Sequence, residues 1–311
     1  MIEMFKTFDD GLRQITDFEE GSWIALTNPN PSELLAISDE FQIDIDHLRA
    51  PLDEEERSRI EIEDDYSLVL VDIPCVEEKN GKERYVTMPL GIILAEKVLI
   101  TVCLEETPIL KSFMEGRVRG FYTFKKTRFI LQILYKNASV YLQYLKIIDR
   151  KSEEIEEKLH ISTKNSELIE LLELEKCLVY FTTSLRSNEV VLEKMLKTDS
   201  IKQYPEDKEL LEDVIIENKQ AIEMSNIYSG ILSGMMDAFA SVISNNLNIV
   251  MKTLTTITII MSIPTMIFSL YGMNFTHLPL GDYQYGFPII TCGTILLTVL
   301  VARLFAKKDM F

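Results

Sequence analysis

Over the first 120 or so residues the apolar positions come in short runs separated by polar, proline or glycine punctuation. "SWIAL", "RIEIE", "YSLVLVDI", "TMPLGIIL" and "KVLITVCL" are rich in Val, Ile and Leu, the composition of strands in a sheet that is at least half buried. The stretch "EEKNGKE" between two of these runs is a polar break of the kind that turns a chain back. Two other segments space their apolar residues at helical intervals: "PSELLAISDEF", with a proline and a capping serine, and "ETPILKSFMEG". The pattern predicts an α/β domain over residues 1–120, a sheet with helices covering it.

From 121 to 205 the period changes. Stretches such as "KSEEIEEKLHIS" and "NSELIELLELEKCL" lack Gly and Pro and repeat their apolar residues every three or four positions, which predicts a helical region. Their clustered carboxylates read as a solvated face, with contact to divalent cations as the other reading. Pro205 then stands where the first residue of a helix belongs, and the next proline is Pro264. A single helix over 206–271 follows, about 100 Å long at about 1.5 Å per residue. In it Leu211, Val214, Ala221, Tyr228, Leu232, Met235, Phe239, Val242 and Ile249 fall near a 3,4 spacing. That spacing fits either an ordinary core helix or a stalk packed lengthwise against other copies, and the length favours the stalk.

The end of that helix has a different character. After Lys252 the next charged residue is Asp282, so residues 253–271 cover about 28 Å, close to the roughly 30 Å of bilayer hydrocarbon. Residues 286–305 form a second apolar run, with Arg303 near its end where it can reach headgroups. Lys252, Arg303, Lys307 and Lys308 flank the spans on one side, and the connection 272–285 carries only Asp282. By the positive-inside rule both termini, including the basic tail 306–311, are expected in the cytoplasm of a multi-pass plasma-membrane protein, with 272–285 outside. The start, "MIEMFKTFDDGL", lacks a signal-peptide pattern, in keeping with that orientation. Tyr271, Phe275, Tyr283, Tyr285 and Phe287 would form the outer aromatic belt.

One side of the first span is polar. Asn248, Met251, Thr255, Thr258, Ser262, Thr265 and Ser269 recur at 3,4,3,4,3,4, a line along one helix face. Serine and threonine in membranes often bond to their own or a neighbouring helix. A continuous stripe, repeated in several copies around an axis, would instead surround a wet and uncharged pore.

Composition narrows the partners. Of the 311 residues, 49 are acidic and 32 basic, a formal charge of -17, which argues against nucleic acid and favours cations. Cys75, Cys103, Cys177 and Cys292 form no CxxC pair, and His47, His160 and His277 are scattered. No HExxH, Ser/His/Asp or glycine-rich phosphate signature occurs, so the chain does not read as an enzyme or as the holder of an organic cofactor.

Tyr271-Gly272-Met273-Asn274, at the end of the first of two C-terminal spans, resembles the signature of the CorA family of magnesium transport proteins. The stretch "NNLNIVMKTLTTITIIMSIPT" is similar to that family's inner-helix sequence. The resemblance implies a funnel-shaped homopentamer that carries Mg²⁺ inward, with the first span lining the pore and Asn274 as the outer selectivity residue beside Gly272 and Met273. Asn248, Met251, Leu254, Ser262 and Thr265 fall at the family's pore positions, with Leu254 where the heptad count selects Thr255. Met251 and Leu254 would supply the apolar gate. The resemblance further implies Mg²⁺-sensing carboxylates between subunits, matched by Asp213 and approximately by Glu77. An acidic residue expected in the outer loop is replaced only loosely by Asp282. Transport of Zn²⁺, Co²⁺ or Ni²⁺ is the nearest alternative, although the zinc-preferring relatives tend to differ at the position of Met273. A membrane-anchored sensor without flux is a more distant one.

Overall fold

The computed structural model describes residues 1–79, 81–161, 165–197, 205–274, 278–280 and 283–307. The chain forms two compact units, Met1–Met236 and Asp237–Phe311. In the first, the sheet strands are β1 (Ile2–Phe8), β2 (Gly11–Ile15), β3 (Ser22–Thr27), β4 (Arg59–Ile62), β5 (Tyr66–Lys79), β6 (Lys82–Ala95) and β7 (Val98–Cys103). The helices are α1 (Pro31–Phe41), α2 (Ile45–Arg49), α3 (Pro108–Met114), α4 (Lys126–Ile161) and α5 (Asn165–Lys197). A further helix, α6 (Pro205–Tyr271), begins in this unit and ends in the second, which also holds α7 (Gly286–Lys307).

The sheet order is β2-β1-β3-β7-β6-β5-β4. Strands β3 and β7 pair in parallel while their neighbours pair antiparallel, so this is a mixed sheet, with a long β5–β6 hairpin in register from Tyr66↔Ala95 to Lys79↔Lys82. All five runs read as strands are strands. The first two strands escaped that reading because they carry few apolar anchors: of β1 only Phe5 is buried, and β2 is an edge strand with no buried residue.

Side chains alternate between two cores, as a pleated sheet requires. One face, with Ile24, Leu26, Leu68, Leu70, Ile93 and Ile100, packs on Leu34 and Ile37 of α1 and Leu48 of α2. The other, with Trp23, Val69, Val71, Leu90, Ile92 and Leu99, packs on α3 and α4, on Val191 and Leu192 of α5, and on Leu211 and Val214 of α6. Trp23 is fully buried against Phe5, Phe121 and Phe129, and its indole N–H donates to Thr101 Oγ1 at 2.9 Å. The cap of α1 is Asn30 and not the serine named from the sequence. Asn30 Oδ1 accepts the Glu33 N–H at 2.9 Å and Glu33 Oε2 accepts the Asn30 N–H at 2.8 Å, a reciprocal capping box.

The second core is stitched to the sheet at Asp72. Its backbone N–H donates to Asn188 Oδ1 at 2.8 Å, and its carbonyl accepts from Asn188 Nδ2 at 2.7 Å and Asn137 Nδ2 at 2.9 Å. Asn137 lies on α4 and Asn188 on α5, so one strand residue fixes both helices. Burial pushes the Asp72 carboxyl above its ordinary value, against the lowering effect of Ser184 and Ser58. On the opposite face the 3-10 turn Ala50–Leu52 presses on β6 so closely that a Cβ on Gly91 would lie 2.2 Å from Pro51 Cγ.

The structure corrects part of the stalk reading. Leu211, Val214, Ala221 and Leu232 are buried within the single chain, and they are therefore not the surface offered to another copy. Polar bonds reinforce this packing of α6 on α5: Asn218 Nδ2 donates to Leu185 O at 3.0 Å, and Ser225 Oγ to Leu178 O at 3.1 Å. The apolar residues of α6 left exposed in this unit are Ile216, Ile227 and Ile231, on a different face.

Replacing Asn188 with Ala leaves the Asp72 N–H without its side-chain acceptor, while the Asp72 carbonyl keeps Asn137 and Tyr141 as donors. The expected cost is about 1–3 kcal/mol for an unmet buried polar group, read as a lowered Tm in thermal unfolding of the purified protein. An unchanged Tm would show that the clamp is dispensable.

Candidate functional site

The second unit contains the apolar end of α6 and the whole of α7, and both helices are long and apolar enough to cross a membrane. Large apolar side chains stand exposed on both, among them Leu254, Met261, Met266, Leu296 and Leu300. Such a surface suits hydrocarbon or further helices, not water.

Each span has one inward face within the unit. On α6 it comprises Thr253, Thr256, Ile260, Ile263, Ile267 and Tyr271, of which Thr256 is fully buried. On α7 it comprises Ile290, Thr291, Thr294, Thr298 and Val301, with Thr294 buried. The spacing of three and four is that of helices packed along one side. The candidate pore residues Asn248, Met251, Leu254, Thr255, Thr258, Ser262, Thr265 and Ser269 are all exposed. Thr258 and Ser262 each lie two positions beyond an inward residue, about 200° round the helix at about 100° per residue. The polar stripe thus points away from the inward face.

Three hydroxyls of that stripe are oriented. Thr258 donates to Leu254 O at 2.8 Å, Ser262 to Ile259 O at 2.7 Å and Thr265 to Met261 O at 2.9 Å. A hydroxyl has one hydrogen and two lone pairs. With the hydrogen given to the helix, what each of these groups offers outward is acceptor capacity. Pro264 interrupts the ladder between Ser262 and Thr265, since it has no N–H to donate.

α6 ends at Tyr271, and the next residues turn away. Gly272 N–H donates to Phe268 O at 3.0 Å and Ser269 O at 3.2 Å. Gly272 is not in the left-handed region, and an added Cβ would meet those two carbonyl oxygens at 3.4 and 3.5 Å, close to ordinary contact. The backbone at Gly272 is therefore one that other residues also adopt. Met273 and Asn274 are exposed. Tyr271 Oη donates to Pro279 O at 3.1 Å and holds the far side of the loop to the helix end. At the start of α7, Gly286 N–H donates to Tyr283 O at 2.8 Å, and a Cβ there would lie 2.1 Å from Leu280 O. Phe275, Asp282 and Lys308 lie outside the described residues.

The two carboxylates assigned to sensing are exposed and stand on different elements, Asp213 on α6 and Glu77 on β5. Asp213 adjoins Tyr135 and Glu217; Glu217 chiefly, then burial, and Asp213 to a lesser extent raise the Tyr135 phenol above its ordinary value. Glu77 pairs across the hairpin with Arg84. Of the cysteines in the first unit, burial pushes Cys75 and Cys103 up to about 12 and Cys177 also upward, which makes them inert packing residues.

These features define a membrane protein: a mixed α/β domain with a long helix, followed by two apolar spans joined by a short loop. The family model described as CorA-like Mg²⁺ transporter protein matches residues 18–308, and the chain belongs to that family. The cobalt/magnesium transport protein CorA of Methanocaldococcus jannaschii is 29% identical over 295 residues, 92% of this chain and 90% of that protein. The magnesium transport protein CorA of a Helicobacter pylori strain is 24% identical over 301 residues, covering 94% and 92%. The complete structure of the CorA magnesium transporter from Methanocaldococcus jannaschii superposes with a TM-score of 0.86 at 26% identity, over 98% of this chain and 97% of that one. A ZntB cytoplasmic domain from Vibrio parahaemolyticus, 12% identical with a TM-score of 0.60 over 79% of this chain and 97% of its own, shares the fold.

Gly286→Ala should displace the loop from the start of α7, at about 1–3 kcal/mol for overpacking. The check is thermal unfolding of the protein in detergent, where an unaltered Tm would contradict the close approach.

Proposed function

We propose that the chain is a channel for Mg²⁺ influx, assembled as a homopentamer in the cell membrane with both termini in the cytoplasm. The observation that carries this reading is the stripe from Asn248 to Ser269: exposed, uncharged, opposite the inward face of its span, and supplying lone pairs at Thr258, Ser262 and Thr265. Five such faces around an axis would form a tube of acceptors. A hydrated cation presents water hydrogens outward, and such a tube can accept them without stripping the shell.

Mg²⁺ dehydrates reluctantly and keeps most of its octahedral waters. A ring of Asn274 amide oxygens at the outer mouth would hold the hydrated ion without trapping it, where carboxylates would bind more tightly and slow release. Gly272 needs no special backbone conformation inside one chain, and its small size would suit close approach of a neighbouring copy. Met251 and Leu254, both exposed, would close the inner end as an apolar ring. The membrane potential drives entry with about 2.3 kcal/mol per charge per 100 mV, so roughly twice that for a divalent ion. Asp282 would supply the outer loop's attraction for cations. Cobalt appears in the name of the Methanocaldococcus jannaschii relative, which makes Co²⁺ the second ion to compare.

Regulation would come from carboxylates of adjacent subunits. Asp213 and Glu77 are exposed acids, and oxygen donors suit Mg²⁺. Bridging by Mg²⁺ would favour the closed pentamer, and loss of Mg²⁺ would leave like charges to repel. A ligand shifts an equilibrium only by its differential affinity for the two states, so removing these acids should weaken feedback without destroying the pore.

Native mass spectrometry of the detergent-solubilised protein should give a pentamer; a monomer or dimer ends the pore reading. Asn274→Ala should abolish selective Mg²⁺ uptake into proteoliposomes while the pentamer persists, and equal selectivity in that variant would remove Asn274 from its role. Uptake against internal Mg²⁺ should lose its inhibition in Asp213→Ala. In Asp213→Lys the ammonium replaces the metal's charge, and flux should stay low even without internal Mg²⁺. Identical curves for the wild type and both variants would make Asp213 a solvated residue.

A further inference from the structure

Away from the spans, one group of side chains carries the donor atoms of a metal centre. His47 lies in the last turn of α2, Glu61 on β4, and Glu63 in the turn from β4 to β5. One donor atom from each lies within 4.8 Å of the other two. His47 Nε2 and Glu61 Oε2 are 3.4 Å apart. Two ligands held at about 2.1 Å on a tetrahedral ion also stand roughly 3.4 Å from each other, so an ion fits between this pair without spreading it.

The remaining atoms of these groups are occupied in a manner that leaves the facing atoms available. His47 Nδ1 is 2.7 Å from Tyr66 Oη, which also accepts the Asp44 N–H at 3.2 Å. Glu61 Oε1 accepts from Arg59 Nε, and Arg59 Nη1 also donates to Glu56. The turn is closed by a Glu63 N–H bond to Tyr66 O at 2.9 Å, which does not use the Glu63 side chain. A ligating imidazole ordinarily has its second nitrogen held in this way, and a ligating carboxylate its second oxygen. The cluster is partly shielded: His47 and Glu61 are half-buried and Glu63 is exposed, which gives an entry side.

We propose that His47, Glu61 and Glu63 bind a first-row transition metal ion, Zn²⁺, Co²⁺ or Ni²⁺. One imidazole nitrogen with two carboxylate oxygens suits these ions. Mg²⁺ takes oxygen ligands and retains its water, so it gains little here. The site lies on the α/β domain and is separate from both the stripe of α6 and Asp213, and it stands or falls independently of the proposed Mg²⁺ flux. Its occupation would join α2, the edge strand β4 and the following turn through one ion.

The test uses the full-length protein without an affinity tag, in detergent, with Mg²⁺ in large excess to saturate oxygen-only sites. Isothermal titration with Zn²⁺ should find one ion per chain that the Mg²⁺ does not displace. His47→Ala should abolish it. Glu63→Gln, whose side chain is exposed and whose fold is not at issue, should weaken it by at least the roughly 10- to 100-fold that follows loss of even an outer partner. Co²⁺ in place of Zn²⁺ should give the visible absorption of a low-coordinate centre in the wild type and lose it in both variants. Absence of Mg²⁺-resistant Zn²⁺ binding in the wild type overturns the proposal. So does unchanged affinity in Glu63→Gln, which decides the matter even where His47→Ala fails to fold.

Discussion

A hydroxyl in a membrane must place its hydrogen somewhere, and this requirement organises the second unit. Hydrocarbon offers no acceptor, so an unbonded O–H there costs several kcal/mol. In the first span Thr258, Ser262 and Thr265 give that hydrogen to carbonyls of their own helix. The same act satisfies the helix and sets the polarity of what remains, because the only capacity left on each oxygen is to accept. Two readings of a Ser/Thr stripe, internal bonding and a polar lining, are usually treated as rivals. On the pore reading proposed above, the first produces the second.

The α/β unit has a comparable division of labour. The long helix α6 is anchored by Leu211 and Val214, buried in the core beneath the sheet, and by Asn218 and Ser225, which donate to α5 carbonyls. Polar side chains bonded to backbone specify register in a way that interchangeable apolar contacts do not. Asp72 does the same between the sheet and the pair α4 and α5. An element that enters a membrane at its far end is thus anchored at its near end by directional bonds as well as by apolar packing.

Much of this was legible in the sequence, and the reasons for the misses are physical. Runs of apolar, largely β-branched residues marked the central strands β3, β5, β6 and β7, where burial on both faces demands them, and the alternation of "RIEIE" marked the edge strand β4. β1 and β2 form one margin of the sheet, where burial asks for almost nothing beyond Phe5. The 3,4 pattern of α6 announced a packed face correctly, but a period does not say whether the partner belongs to the same chain. Leu211 and Val214 turned out to face their own sheet domain. Seven of the eight candidate pore residues could be chosen from spacing, because a helix converts spacing into direction; Leu254 came from the family resemblance alone. His47, Glu61 and Glu63 could not, since α2 and β4 are separate elements brought together only by the fold; in one dimension they are a lone histidine and two of many acids.

The proposed pore and the proposed metal site would give the chain two kinds of cation chemistry, and their difference follows from the time each must keep an ion. A path for ions has to bind weakly at every point, which calls for neutral oxygens, separated along a helix and reaching the metal through its water. Asn248, Thr258, Ser262, Thr265 and Asn274 have that character. A centre that retains an ion needs direct ligands of mixed type, converging from rigid elements, with their second atoms held by neighbours. His47 and Glu61, braced by Tyr66 and Arg59, have that one. The acidic excess of the chain does not decide between them, because charge draws cations to both. What separates passage from retention is whether the donors surround a hydrated ion or touch a bare one.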